Sequence, residues 1–169
     1  MILLLIALLL LPTAMIPREE LYPVERVEVE ARDASIPEGA RRAIVVTRTG
    51  GKSPVKVLNV KVYEKEAEFK TVHVEYIVVY HNRDYAVAQR SVDFESFEKI
   101  WLELSKNRAF LLADAPEGPK DQPTYTVIIK EVKRNNSFTV TGAENLDDKR
   151  YYNIISAIEN FWREQLEIQ

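Results

Sequence analysis

Between residues 43 and 90, valine and other β-branched or aromatic residues dominate four short stretches and mostly alternate with polar ones, a period that suits half-buried strands and no helix. The first, residues 43–49, ends at Gly50-Gly51, a pair suited to a turn that needs positive φ. Val55 and Val57 start the second, and Val60 and Val62 resume it in the opposite parity. A bulge or bend near Leu58-Asn59 would restore one buried face. Residues 69–80 are the longest candidate, with Val72, Val74, Tyr76, Val78 and Tyr80 on one side and His73, Glu75, Ile77 and Val79 on the other. The polar run His81-Asn82-Arg83-Asp84 turns that strand back into residues 85–90. Ahead of these four, Val27, Val29 and Ala31 alternate with Glu28, Glu30 and Arg32, predicting one more strand that ends in residues 35–39.

The period then changes. Asp93 is a good N-cap, and Phe94, Phe97, Ile100, Trp101 and Leu104 follow at helical spacing up to Asn107. Residues 116–123 read as a loop. Tyr125, Val127 and Ile129 alternate, and Phe138 and Val140 answer them across a turn at Arg134-Asn135-Asn136. Asp147 or Asp148 caps a last helix with Tyr151, Ile154, Ile155, Ile158, Phe161 and Trp162 on one stripe. Two aromatic stripes need a common apolar surface, and the valine faces supply it. The expected fold is therefore α+β: an antiparallel sheet of about five to seven strands with two amphipathic helices packed on one face. A chain of 169 residues with 46% hydrophobic and 29% charged residues can build such a core without cysteine staples, and it has no cysteine.

Ile2 to Leu11 is an unbroken apolar run, followed by Pro12, Thr13 and Ala14, with the first charge at Arg18. It is shorter than the roughly 20 residues a spanning helix needs. Residues 1–14 read as a secretory signal with Ala14 last before cleavage, or as a short retained anchor within residues 2–16, or as a buried helix. Residues 15–169 then form a single domain, secreted or periplasmic, with membrane contact only where the leader is retained.

The chemistry-bearing residues are few. His73 and His81 lie eight positions apart, too far along one strand to share a metal. Neither has a visible orienting partner for base catalysis. Asp147-Asp148 lacks the spaced oxygen ligands of a calcium loop, and no nucleophile elbow, phosphate loop, dinucleotide fingerprint or zinc-protease motif occurs. No catalytic, cofactor-binding or metal-ligating residue is assigned, and no cofactor is implied. Charge is uneven: residues 15–40 are acidic, whereas residues 41–65 carry Arg41, Arg42, Arg48, Lys52, Lys56, Lys61 and Lys65 against a single acid. That tract reads as a solvated, edge-protecting face or as a surface for an anionic partner. A net charge of −3 argues against nucleic acid.

Three segments carry a resemblance: Ile44-Val45-Val46-Thr47-Arg48-Thr49-Gly50-Gly51, a helix ending in Ala109-Phe110-Leu111-Leu112, and Asp121-Gln122-Pro123-Thr124-Tyr125-Thr126-Val127. In order and character they are similar to the emfourin family, small proteins that inhibit thermolysin-like metalloproteases. The resemblance covers roughly residues 43–162. It implies a noncatalytic inhibitor whose partner is a secreted metalloprotease. This chain differs in having Arg108 where the family has Gly, a much longer strand region between Gly51 and Asp93, and an added N-terminal strand.

The functional expectation is thus a noncatalytic exported binding domain and not an enzyme, with protease inhibition as the form the resemblance implies. An envelope structural or assembly subunit, marked by an open sheet edge, is the alternative. A carboxylate-based hydrolase, marked by facing acids in a concave pocket, is the other. The candidate partner-binding residues are Gly50, Gly51, Lys52 and Ser53 in one loop and Glu117 and Asp121 in the loop spanning residues 114–121.

Overall fold

The computed structural model describes residues 23–68 and 70–168, so the apolar run at 2–16 with Ala14, and Phe69, lie outside the described residues. Among the described residues, strands β1 (Ala40–Gly50), β2 (Val55–Lys65), β3 (Val72–Tyr80), β4 (Tyr85–Val92), β5 (Pro123–Glu131) and β6 (Arg134–Thr141) form one sheet. Its order is β4-β3-β2-β1-β5-β6, antiparallel throughout. Helices α1 (Val24–Glu30), α2 (Phe94–Lys106) and α3 (Lys149–Phe161) complete an α+β fold.

Alternation explains which sheet face each helix covers. Ile44 and Val46 of β1 stand opposite Val62 and Val60 of β2 and beside Ile129 and Val127 of β5. On that face they meet Phe97, Trp101 and Leu104 of α2 and Ile154, Ile155, Ile158 and Phe161 of α3 in one core. Trp101 and Trp162 are both buried there, so Trp101→Ala should cost about 3–5 kcal/mol. Asp93 caps α2 by accepting from the Ser96 amide at 2.8 Å, and Asp148 caps α3 through the Arg150 amide at 3.1 Å. After α3 the chain widens into a π-helical turn, Trp162–Leu166, and reaches Glu167 with φ of 55°.

Three local expectations are corrected. The N-terminal segment is a helix and not a strand: Val27 and Ala31, four apart, are buried against Val57 and Val79, while Val29 is 70% exposed. Ion pairs Arg26–Glu30 and Arg32–Glu28 at the same spacing reinforce the helical period. The β2 irregularity lies between Val55 and Val57 instead of near Leu58-Asn59, and it sends Val55 and Leu58 to the main core and Val57 to the α1 side. The β5–β6 turn is Val132-Lys133, because Glu131 pairs with Arg134, and Asn135 and Asn136 belong to β6. Asn136 is there to bind the Ala109 and Leu112 carbonyls at 2.9 and 2.8 Å.

Candidate partner-binding site

The fold brings the two sequence-chosen loops together at one end of the sheet. Gly50, last in β1, pairs with Pro123, first in β5, so the β1–β2 turn lies beside the segment leading into β5. Gly50 and Gly51 have φ of 72° and 76°, the left-handed backbone that the turn requires. Lys52 and Asp121 face each other at 3.8 Å while staying 87% and 60% exposed. Ser53 turns inward to accept from the Val55 amide at 3.2 Å, and Glu117 is exposed.

Part of the second loop has a structural task. Residues 114–118 run along the outer side of β6. The Ala115 amide donates to the Thr139 carbonyl at 2.8 Å, and the Thr139 amide donates to the Asp114 carboxylate at 2.6 Å. Gly118 sits so close that a Cβ there would lie 2.2 Å from the Thr141 carbonyl oxygen. This edge of the sheet is sealed by the chain itself.

The opposite edge is not. Among the described residues, 86–91 of β4 make no backbone hydrogen bond beyond the ladder to β3. The sequence Tyr-Ala-Val-Ala-Gln-Arg-Ser-Val has neither Pro nor Lys, Asp or Glu, the residues that usually blunt an edge. Its one charge, Arg90, turns over the Tyr76 ring at 5.7 Å. Val87 is 59% exposed. A trough of about 550 Å³ flanks this edge on the α1 side, lined by Ile77, Val87, Gln89 and the acids Glu30, Asp33 and Glu75.

Each acid of the trough already has a partner. Arg26 holds Glu30 at 2.8 Å, Lys61 and Ser35 hold Asp33, and Glu75 accepts from the Tyr63 hydroxyl at 2.5 Å and the Gln89 amide at 3.1 Å. The Ser35 hydroxyl and amide, helped by Lys61, draw the Asp33 carboxyl below its ordinary range. Burial, then the bond to Glu75, push the Tyr63 phenol up to about 12. Such an arrangement holds these polar groups in place.

His73 and most of the basic tract find internal partners. His73 lies 2.7 Å from Glu68 and stacks on Tyr63. No cluster of three His, Asp or Glu residues suited to a metal occurs among the described residues. Lys56 pairs with Glu28, Lys61 with Asp33 and Lys65 with Glu68, while Arg41 and Arg42 converge on Glu64. Glu28 and Asp33 of the acidic N-terminal segment thus meet two cations of the tract, Lys56 and Lys61. The β4 edge was missed in the sequence, although its lack of Pro, Lys, Asp and Glu was there to read. No described helix is long and apolar enough to cross a membrane. Compared with protein-family models and with curated protein sequences, the chain matches none.

Proposed function

We propose that the chain is a noncatalytic exported binding domain that takes an extended segment of a protein partner alongside β4. The carrying observation is that, among the described residues, 86–91 of β4 make no backbone hydrogen bond beyond the ladder to β3, whereas residues 114–118 cover the other edge at Thr139 and Thr141. Unpaired edge amides and carbonyls are satisfied by another backbone, so the partner contributes a strand. Beside that strand, Val87 and Ile77 offer apolar contact, and Glu75, whose partners Tyr63 and Gln89 are neutral, offers a carboxylate to a basic side chain. Export rests on the apolar run before Arg18. An assembly subunit would use the same edge, and a stoichiometric complex would select that form.

The test places a photo-crosslinking residue at Val87 and, as a control, at Leu102, an exposed residue of α2. Adducts form in the exported fraction, and amide exchange is then followed across β4 in the purified complex. The expected result is a discrete adduct from Val87 only, mapping to one contiguous partner segment, with slowed exchange at residues 86–91. Equal adducts from both positions, or unchanged exchange in β4, would sink the proposal.

The second reading is inhibition of a thermolysin-like protease through the paired loops. It is favoured by the convergence of Lys52 and Asp121 and by Arg108, whose φ of 52° is a backbone that favours the Gly found there in emfourin-like chains. Micromolar domain should slow such a protease, and neutralising Lys52, Glu117 and Asp121 should relieve the effect while shifting the melting temperature by only a few degrees. A panel of these proteases left fully active by the unmodified domain refutes it.

A further inference from the structure

The row Arg42, Ile44, Val46, Arg48 puts one guanidinium at each end of the helix-covered face of β1. Arg42 is matched by Glu64 at 2.9 Å and Glu98 at 2.5 Å. Arg48 is not. Its Nε is buried with no hydrogen-bond partner, and no carboxylate among the described residues forms an ion pair with it. Every other cation of the 41–65 tract has an acid within 4.0 Å.

Arg48 borders a cavity of about 340 Å³ whose remaining walls are Leu58, Glu159, Trp162, Arg163 and Ile168. Glu159 shares this cavity, and one of its oxygens accepts from the hydroxyl of Tyr125, the residue opposite Arg48 on β5; it forms no ion pair with Arg48. The cavity therefore combines the Arg48 guanidinium, whose Nε has no partner, an exposed arginine at Arg163, the Glu159 carboxylate, and apolar walls of Leu58, Trp162 and Ile168. Trp162 and Arg163 come from the π-helical turn, a form of helix frequent at functional sites.

We propose that this cavity binds a small organic carboxylate with an apolar body. The carboxylate pairs with the Arg48 guanidinium, reinforced by Arg163, and the body lies against Trp162 and Ile168. A planar guanidinium suits a carboxylate, and the apolar walls give a bare inorganic anion nothing to replace its lost hydration. The Glu159 carboxylate in the wall favours a monoanion over a phosphate dianion by charge repulsion. The volume lies toward the lower end of small-molecule sites. This assignment rests on Arg48 and its cavity and does not depend on the reading of β4.

The probe is 3-phenylpropionate, titrated into the full chain with the Trp162 indole N–H followed by NMR, alongside 3-phenylpropanol and inorganic phosphate. Expected is saturable movement of the Trp162 signal with a dissociation constant on the order of 1 mM or tighter, as a ligand of this size allows. The neutral alcohol should bind at least about tenfold more weakly. Arg48→Gln should weaken the acid about tenfold or more and leave the alcohol unchanged, while Arg163→Gln should cost only about threefold at its exposed rim. Should Arg48→Gln fail to fold, Arg48→Lys retains the charge without the fork and should weaken the acid severalfold. No Trp162 response up to 10-fold beyond that range, equal binding of acid and alcohol, preference for phosphate, or indifference to both Arg48 variants would each overturn the assignment.

Discussion

Replacing Arg42 with methionine should destabilise the domain by about 3–5 kcal/mol, the cost of breaking a buried ion pair by removing one partner. The figure follows from asymmetry. Glu64 is 1% exposed, and Arg42 donates to its Oε2 at 2.9 Å; Arg41 stands 4.0 Å from the other oxygen, and the Lys70 amide approaches that oxygen at 3.4 Å. Methionine keeps much of the apolar stem but leaves the carboxylate without its cation. It also removes the guanidinium from its seat 4.9 Å from the centre of the Phe97 ring and 5.4 Å from that of Trp101. Glu98, by contrast, is 43% exposed, so Glu98→Gln should cost less than about 1 kcal/mol. Adding Glu64→Leu to Arg42→Met removes the stranded charge and should recover most of the loss, since apolar replacement of a buried pair is often near neutral. Urea unfolding of the three variants at pH 7 measures all of this. The reasoning fails if Arg42→Met costs under about 1 kcal/mol, or if the double variant is no more stable than Arg42→Met alone.

Val132 has φ of 51° at the first position of a two-residue hairpin turn, where glycine is preferred; Val132→Gly should stabilise by about 1 kcal/mol, read as a higher urea midpoint. Arg108→Gly should stabilise by about 0.5–1 kcal/mol for the same backbone reason, with Arg108→Ala as the control that shows no gain. Gly118→Ala forces the 114–118 segment off the Thr141 carbonyl and should cost about 1–3 kcal/mol, with faster amide exchange in β6 as the local sign. The Tyr63 phenol, held up to about 12 when folded, ionises first in the unfolded chain near its ordinary value of about 10. Its contribution is therefore complete below pH 10 and is lost as pH rises from about 10 to 12, so Tyr63→Phe should flatten the alkaline decline in unfolding free energy. Tyr125, also raised by burial and its bond to Glu159, keeps the decline from vanishing. An unchanged slope in Tyr63→Phe would contradict the assignment.

What was legible in the sequence was periodicity backed by burial. The residues 72, 74, 76, 78 and 80 face one core as alternation demands, and the stripes of α2 and α3 pack where their spacing puts them. Alternation misled at Val27-Val29-Ala31 because three positions fit both a strand and one turn of helix. The deciding facts were the i,i+4 ion pairs and a partner surface at Val57 and Val79 that only the tertiary structure supplies. The acidic 15–40 segment and the basic 41–65 tract were both visible, yet the pairing of Lys56 with Glu28 and of Lys61 with Asp33 was not, since charge counts carry no distances. The loop pair was legible as chemistry, and its meeting at Lys52 and Asp121 came from the β1–β5 register.

Arg42 and Arg48, two of the three arginines of β1, show where sequence reading stops. Both fall in the inward parity of the same strand, and alternation alone marks both as charges aimed at a core. Which one is satisfied depends on what lies across the sheet and on the covering helix: Glu64 and Glu98 reach Arg42, whereas Leu58 stands opposite Arg48 on β2 and Glu159 is bound by Tyr125. A buried guanidinium with its own carboxylates is a structural element whose loss unfolds the protein. One whose Nε has no partner among the described residues, beside a cavity walled in part by Leu58, Trp162 and Ile168, is the group that the proposed acid would engage. Removing the first should therefore be read in urea midpoints, and removing the second in the affinity of an added acid.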